Sequence, residues 1–351
     1  MLKRRQYRIF AGGAKPEGYI EEWIYNPHNN MLIKSGRRLY SPSVYFMTLS
    51  PDGRCLYCAA RQEQEMAVLY AIDLTDSTSL RIINCAYLQT SNISHLQVNQ
   101  AGTRLLITLF DKGILLEYAL HQDGSIGEHM ESCDFAGLIP GASSKNTSHL
   151  HSAFFSPDDS LIAVCDMGTN RLNLLETEKN GKLGIACSWN MEPSAGPRHT
   201  AFSPDGKWLG VAMEKSSELV IMNLKEKKHI MRIPAAPIND ENLPADIKFS
   251  HDGKHIYLSN RGFDSIGIFS IRTEDNELIL SDLKHIKTKG WPRVIDLGKS
   301  EQYLFVMNES YKDYWSGLEI FRVDKDGNVP EKVIFHEIPM ATAMAVKEEE
   351  E

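Results

Sequence analysis

The sequence predicts an all-β protein built from one repeated unit of four short antiparallel strands. A tight-turn motif recurs along the chain, and a strand-like run lies on each side of every copy. The six copies begin at Ser50, Asn99, Ser156, Ser203, Ser250 and Gly298. They are spaced 47 to 57 residues apart, and such a period with four strands per unit is typical of a β-propeller.

Each unit is predicted to contain the same elements in the same order. A short apolar strand comes first, such as "HTAF" before Ser203. The turn is Pro-Asp-Gly or a relative of it, because proline presets φ and glycine supplies a left-handed residue. A second strand follows ("KWLGVAM"), then a third ("ELVIMNL") and a more variable fourth. One such sheet cannot bury both of its faces alone, so the units are expected to stack as blades around an axis.

The segments outside the six units also resemble strands. They are "YRIFAGG" and "YIEEWIYN" near the start, and "KVIFHEI" and "MATAMAV" near the end. Pooled, these segments predict one more blade that closes the ring. The predicted fold is therefore a seven-bladed β-propeller with four antiparallel strands per blade, forming a single domain over residues 1–351. Residues 134–148 are expected to form a long loop, and residues 346–351 a frayed tail.

Composition excludes several classes of function. A net charge of −8 argues against nucleic-acid binding, which needs basic patches. Cys55 and Cys58 form a C-x-x-C on a predicted strand, where residues three apart point to opposite faces, so redox or zinc chemistry is not expected. No apolar run approaches the ~18 residues of a membrane span, and the first residues lack the apolar core of a signal peptide. We expect a cytoplasmic protein that is a monomer or weak homodimer.

Aligning the six turns reveals two columns of candidate site residues. Five positions before each turn lie Tyr45, Ser94, His151, Arg198, Ala245 and Arg293. Eleven positions after each turn start lie Arg61, Phe110, Met167, Glu214, Arg261 and Glu309. Both columns are predicted to lie at the blade end opposite the turn, near the mouth of the channel. Charged residues at strand ends also form ordinary surface ion pairs, so the columns alone leave that alternative open.

Other motifs indicate little additional chemistry. His149 and His151 lie two apart on one strand face, a spacing that can bind a metal. No third ligand is specified at a fixed spacing, so we expect no metal and no other cofactor. Nucleotide-binding glycine motifs and the G-x-S-x-G motif of serine hydrolases do not occur in the sequence.

Three successive segments resemble a known family of enzymes. The segments are "HSAFFSPDDSLIAVCDMGTNRLNLLE", "GPRHTAFSPDGKWLGVAMEKSSELVIM" and "ADIKFSHDGKHIYLSNRGFDSIGIF". They look like blades of the lactonase-type seven-bladed propellers, which include cycloisomerase-type 6-phosphogluconolactonases and fungal carboxymuconate lactonizing enzymes. Family members often have A-E-I-H where this chain has Ala245-Asp246-Ile247-Lys248, and the sixth turn here lacks Pro-Asp-Gly.

The resemblance implies an active site of His151, Arg198, Glu214 and Arg261, all of which fall in the two columns. We expect Arg61, Arg293, Glu309 and His149 to contribute to substrate binding. The implied reaction is metal-independent hydrolysis of a small anionic lactone, with 6-phosphogluconolactone first among the substrates. Cyclisation of a carboxymuconate by the same residues and a non-catalytic binding scaffold remain alternatives. His151 and Glu214 are both candidates for the general base.

Overall fold

The computed structural model describes residues 5–13, 18–62, 66–90, 92–135, 148–179, 181–237, 241–274, 277–311, 315–329 and 331–350. Within these ranges the regular structure consists of 28 strands in seven antiparallel sheets of four, as predicted. The same ranges contain no helix with the length and hydrophobicity needed to cross a membrane. Of the predicted loop 134–148, residues 136–147 lie outside the described residues.

The described residues group into two compact units, of which the first takes in residues 1–91, 121–126 and 288–351. Blade 1 consists of β4 (Ser43–Leu49), β5 (Cys55–Arg61), β6 (Ala67–Asp73) and β7 (Arg81–Leu88). Blade 6 consists of β24 (Trp291–Asp296), β25 (Tyr303–Glu309), β26 (Gly317–Arg322) and β27 (Glu331–Glu337). The terminal blade contains, in spatial order, β28 (Ala341–Glu350), β1 (Arg5–Gly13), β2 (Tyr19–Asn26) and β3 (Met31–Tyr40).

The second unit takes in residues 92–120 and 127–287 and contains four blades. Blade 2 consists of β8 (Ile93–Val98), β9 (Arg104–Leu109), β10 (Ile114–Leu120) and β11 (Ile126–Asp134). Blade 3 consists of β12 (Leu150–Phe155), β13 (Leu161–Asp166), β14 (Arg171–Thr177) and β15 (Leu183–Asn190). Blade 4 consists of β16 (Pro197–Phe202), β17 (Trp208–Met213), β18 (Glu218–Asn223) and β19 (Lys228–Pro234). Blade 5 consists of β20 (Leu243–Phe249), β21 (His255–Arg261), β22 (Ser265–Glu274) and β23 (Glu277–Lys287). Whether residues 1–351 form a single domain stays a prediction.

The repeated turn joins the first two strands of its blade through a fixed set of hydrogen bonds. Ser203 Oγ donates to Asp205 Oδ1 at 2.7 Å and accepts from the backbone N–H of Trp208 at 2.9 Å. Gly206 has φ of +68°, the left-handed conformation that glycine adopts without steric cost. The same pair of serine hydrogen bonds recurs in the copies that begin at Ser50, Ser156 and Ser250. Ser-Pro-Asp-Gly is therefore a local signal that sets the strand register.

Buried apolar side chains join neighbouring blades inside each unit. In the second unit, Trp208 and Ile221 of blade 4 share a core cluster with Leu258 and Phe269 of blade 5. In the first unit, Tyr7 of the terminal blade packs against Phe305 of blade 6 with ring centroids 5.1 Å apart. Because burial of apolar area is the main stabilising term, these clusters hold neighbouring blades of one unit together. This packing fixes the strand ends that carry the charged columns.

The terminal blade confirms the pooling of strands from both ends of the sequence, with two corrections. The segment "KVIFHEI" belongs to β27 of blade 6, and β3 takes the fourth place in the terminal blade. Residues 346–350 are not frayed, because they continue β28 and pair with residues 5–9 of β1. Val346 is buried and Arg8 Nε lies 2.6 Å from Glu349 Oε2, so this acidic segment is held by the ladder and by ion pairs.

Candidate active site

The column five residues before each turn coincides with a β-bulge. In blade 4, Pro197 pairs with Met213 and His199 with Ala212, so Arg198 is the extra residue of β16. The register shifts at the same position in the other five repeats, at Tyr45, Ser94, His151, Ala245–Asp246 and Arg293. A bulge interrupts the alternation of side chains and changes the direction of the extra residue. The repeat therefore redirects one side chain per blade at the same end of the first strand.

Glu214 forms the centre of a charged cluster in the second unit. It follows β17 directly, and its Oε2 lies 2.8 Å from Arg198 Nε of the same blade. Arg261, the last residue of β21 in blade 5, donates from Nη2 to the same oxygen at 2.5 Å. No hydrogen bond from a described residue reaches the other oxygen, Oε1. One carboxylate oxygen thus binds both guanidinium groups.

Backbone carbonyls of blade 5 hold both arginines in place. Arg198 Nη1 donates to the carbonyl oxygen of Ala245 at 2.8 Å, and Arg261 Nε donates to that of Leu243 at 3.0 Å. The side chains of Arg198 and Arg261 are 4% and 11% exposed, against 20% for Glu214. The carboxylate is therefore the member of the cluster most accessible to a small molecule, and the guanidinium groups are preorganised around it.

The ionisation of Glu214 follows from its two partners. Burial raises the pKa of its carboxyl group, but the positive charges of Arg198 and Arg261 and their hydrogen bonds outweigh burial. The net pKa of Glu214 is lowered from its ordinary value, so the side chain is a carboxylate at neutral pH.

His151 and His149 both contact the aromatic ring of Phe110. The His149 ring stacks on Phe110 at 4.9 Å between centroids, and the His151 ring meets the same phenyl group edge-on at 5.9 Å. Phe110 belongs to the second predicted column, so the two columns do meet between blades 2 and 3. Among the described residues, no group of three or more His, Cys, Asp and Glu side chains is placed to hold a metal ion.

The alignment of columns missed a neighbouring group of buried polar residues. His199, Asp246 and His95 lie four positions before their turns and are 2–3% exposed. His199 Nδ1 lies 3.0 Å from Asp246 Oδ1, and the His199 ring contacts His151 with centroids 5.3 Å apart. Strict strand alternation predicts that the side chain of His199 points away from the face of Arg198. The β-bulge at Arg198 interrupts this alternation. It is visible in the pairing of β16 with β17, and the sequence of β16 alone does not indicate it.

The remaining predicted residues lie in the first unit. Arg293 Nη1 of blade 6 forms a short ion pair with Glu309 Oε1, which repeats the Arg198–Glu214 relationship of one blade. Arg61 ends β5 of blade 1, and its side chain is exposed. A role of these three residues and of His149 in substrate binding stays a prediction.

The chain shows clear similarity to known proteins. The family model described as lactonase, 7-bladed β-propeller, matches residues 9–347. A 6-phosphogluconolactonase of Bacillus subtilis is 26% identical over 84% of this chain and 83% of its own length. A 6-phosphogluconolactonase of Formosa agariphila is 28% identical over 80% of this chain and 81% of its own. The crystal structure of a protein from Lactobacillus plantarum has a TM-score of 0.82 at 23% identity, covering 98% of this chain and 99% of that one.

The seven four-stranded sheets and the match to the family model make this chain a seven-bladed β-propeller. The chain belongs to the lactonase family of such propellers. The fold class and the family predicted from the repeated turns and the "GPRH" segment are confirmed.

Proposed function

We propose that the chain is a metal-independent lactone hydrolase whose substrate is an anionic sugar lactone of the 6-phosphogluconolactone type. The observation that carries the proposal is Glu214 Oε2 bound between Arg198 and Arg261 at 2.8 and 2.5 Å. The names of the relatives from Bacillus subtilis and Formosa agariphila support the choice of substrate. Two fixed guanidinium groups beside an accessible carboxylate suit a reaction in which an anionic substrate develops further negative charge.

The proposed reaction adds water across the ester bond of the lactone. Glu214 Oε1 takes a proton from water, and the water oxygen bonds to the carbonyl carbon. Arg198 and Arg261 stabilise the negative charge that develops on the carbonyl oxygen. The bond between the carbonyl carbon and the ring oxygen then breaks, and His151 donates a proton to the leaving oxygen. The product is the open-chain hydroxy acid, and positioned acid–base catalysis of this kind contributes about 10²–10⁴ in rate.

The test follows the loss of 6-phosphogluconolactone, generated from glucose 6-phosphate, by NMR. Wild-type protein should accelerate the loss over buffer, with and without a chelator, and Glu214→Gln should reduce the acceleration by about 10². Glu218→Gln is the matched control, because Glu218 lies in the same blade but pairs with Arg232. If folded wild-type protein gives the rate of buffer alone, the phosphosugar lactone is not the substrate, and carboxymuconates and binding partners are examined next.

A further inference from the structure

Three histidines and an aspartate form a cluster beside the charged centre of the second unit, in which His95, His199 and Asp246 are buried and His151 is partly exposed. The His199 ring contacts His95 and His151 at centroid distances of 5.4 and 5.3 Å, with interplanar angles of 73° and 63°. Phe154 packs on the same ring at 5.7 Å. These residues come from the first strands of blades 2, 3 and 4, so His199 joins three successive blades. Rings from two neighbouring blades therefore restrict the rotation of His199.

Asp246 fixes the polar edge of His199. Its Oδ1 lies 3.0 Å from His199 Nδ1 and accepts the backbone N–H of Ile247 at 3.0 Å. Lys248 Nζ lies 3.8 Å from Asp246 Oδ2. A carboxylate at Nδ1 selects the imidazole tautomer with the proton on Nδ1 and sets the plane of the ring. Asp246 is itself the second residue of the β-bulge in blade 5. Its position therefore depends on a bulge, as that of Arg198 does in blade 4.

We propose that Asp246 and His199 are positioning residues that orient the imidazole of His151 for proton transfer. The inference rests on the proposed function, in which His151 is the proton donor. Asp246 contacts His199 at Nδ1, and the rings of His199 and His151 meet in an edge-to-face arrangement. Because rings in close contact cannot rotate independently, the carboxylate of blade 5 determines the orientation of an imidazole in blade 3. The adjoining backbone supports the arrangement, since Ser152 Oγ donates to the carbonyl oxygen of Arg198 at 2.7 Å.

His95 provides a matched control within the same cluster. Burial lowers the pKa of His95 to about 3, so this imidazole is neutral at physiological pH. It packs against the rings of His199 and Phe154, with centroids 5.4 and 4.3 Å apart. Replacement of His95 thus perturbs the packing of His199 without removing the carboxylate.

The experiment combines kinetics with ¹⁵N NMR of protein labelled at histidine. Asp246→Asn preserves the shape of the side chain and removes its charge, and it should lower kcat at least about tenfold with KM within about twofold. The imidazole ¹⁵N signals of His151, assigned with His151→Gln, should move in Asp246→Asn and in His199→Gln. His95→Gln alters the packing of His199 but keeps the Asp246 carboxylate, so it should change kcat and these signals less than His199→Gln does.

The two readouts separate the inference from the function on which it rests. Unchanged His151 signals in folded Asp246→Asn and His199→Gln would overturn the positioning role, whatever the activity. Equal effects of His95→Gln and His199→Gln on kcat would show that His199 acts only through packing. That result would also overturn the positioning role. A wild-type protein without lactonase activity would instead refute the proposed function, and the NMR comparison would still decide whether Asp246 orients His151.

Discussion

Arg261 binds Glu214 through a 2.5 Å hydrogen bond across 47 residues of sequence. That separation is one period of the repeat, so the two residues occupy the same position in consecutive blades. The repeat therefore builds the charged centre by itself: equivalent strand ends in neighbouring blades come together, and one carries a carboxylate where the next carries a guanidinium group.

Replacing Arg261 with lysine should distinguish the contribution of its positive charge to catalysis from that of its hydrogen-bond geometry. Lysine keeps the positive charge but lacks the planar fork that binds the Leu243 carbonyl and Glu214 together. We expect kcat/KM to fall by about 10–10² with little change in stability. Arg272→Lys, at an exposed residue of the same blade paired with Glu274, is the control and should keep wild-type kinetics. Equal kinetics for wild type and Arg261→Lys would mean that only net charge matters at this position.

Glu214 should make stability depend on pH in a defined direction. Its pKa is lower in the folded protein than its ordinary value, so its ionisation stabilises the fold above the unfolded-state pKa. That contribution is lost as the pH falls through the folded-state pKa. Glu214→Gln should lower the free energy of unfolding by about 1–3 kcal/mol at neutral pH, and the difference from wild type should shrink in acid. Denaturant unfolding of both proteins at neutral and acidic pH measures this difference in the free energy of unfolding. A difference that does not change with pH would contradict stabilisation by the charge of Glu214.

The turn of blade 4 should require a residue that tolerates positive φ. A Cβ at Gly206 would meet nothing within 4 Å, but φ there is +68°. Gly206→Ala should therefore destabilise the protein by about 1 kcal/mol through backbone strain alone. Gly206→Asp should cost less, because Asp159 adopts φ of +60° at the equivalent position of blade 3. Thermal unfolding compares the two variants, and an alanine variant as stable as the aspartate variant would exclude backbone strain as the cause.

Removal of residues 346–351 should destabilise the terminal blade. β28 runs to Glu350 and pairs with β1 along its length, so deletion removes ladder hydrogen bonds and the Arg8–Glu349 ion pair. We expect Tm to fall by about 3 °C or more. Glu350→Ala, which removes the peripheral contact with Arg5 at 3.5 Å, should leave Tm nearly unchanged. A deletion with wild-type Tm would restore the view that this segment is a loose tail.

The fold could be predicted because its signals are local. The turn at Ser203, Asp205 and Gly206 is stabilised by residues close in sequence. The number and spacing of such turns indicate how many blades the chain forms. The place of Arg198 and Glu214 at one end of a blade follows from the same count. The contact between His199 and Asp246 also spans one period, but strand alternation assigns His199 to the other face, and the bulge that interrupts this alternation arises from pairing with another strand. The ordered residues 346–350 were missed because a run of glutamates resembles a solvated tail until the basic side chains of β1 are placed beside it.

The pairing of β1 with β28 also has a consequence for synthesis of the protein. Arg5 and Glu350 meet across 345 residues of sequence, so β1 leaves the ribosome long before its neighbour exists. During that interval one edge of β1 presents unpaired N–H and C=O groups, which can recruit a strand from another nascent chain. Translation of the codons for β28, including those for the acidic segment, ends this exposure. The yield of active protein should therefore be more sensitive to chaperone supply and to crowding of nascent chains than the stability of the finished molecule suggests.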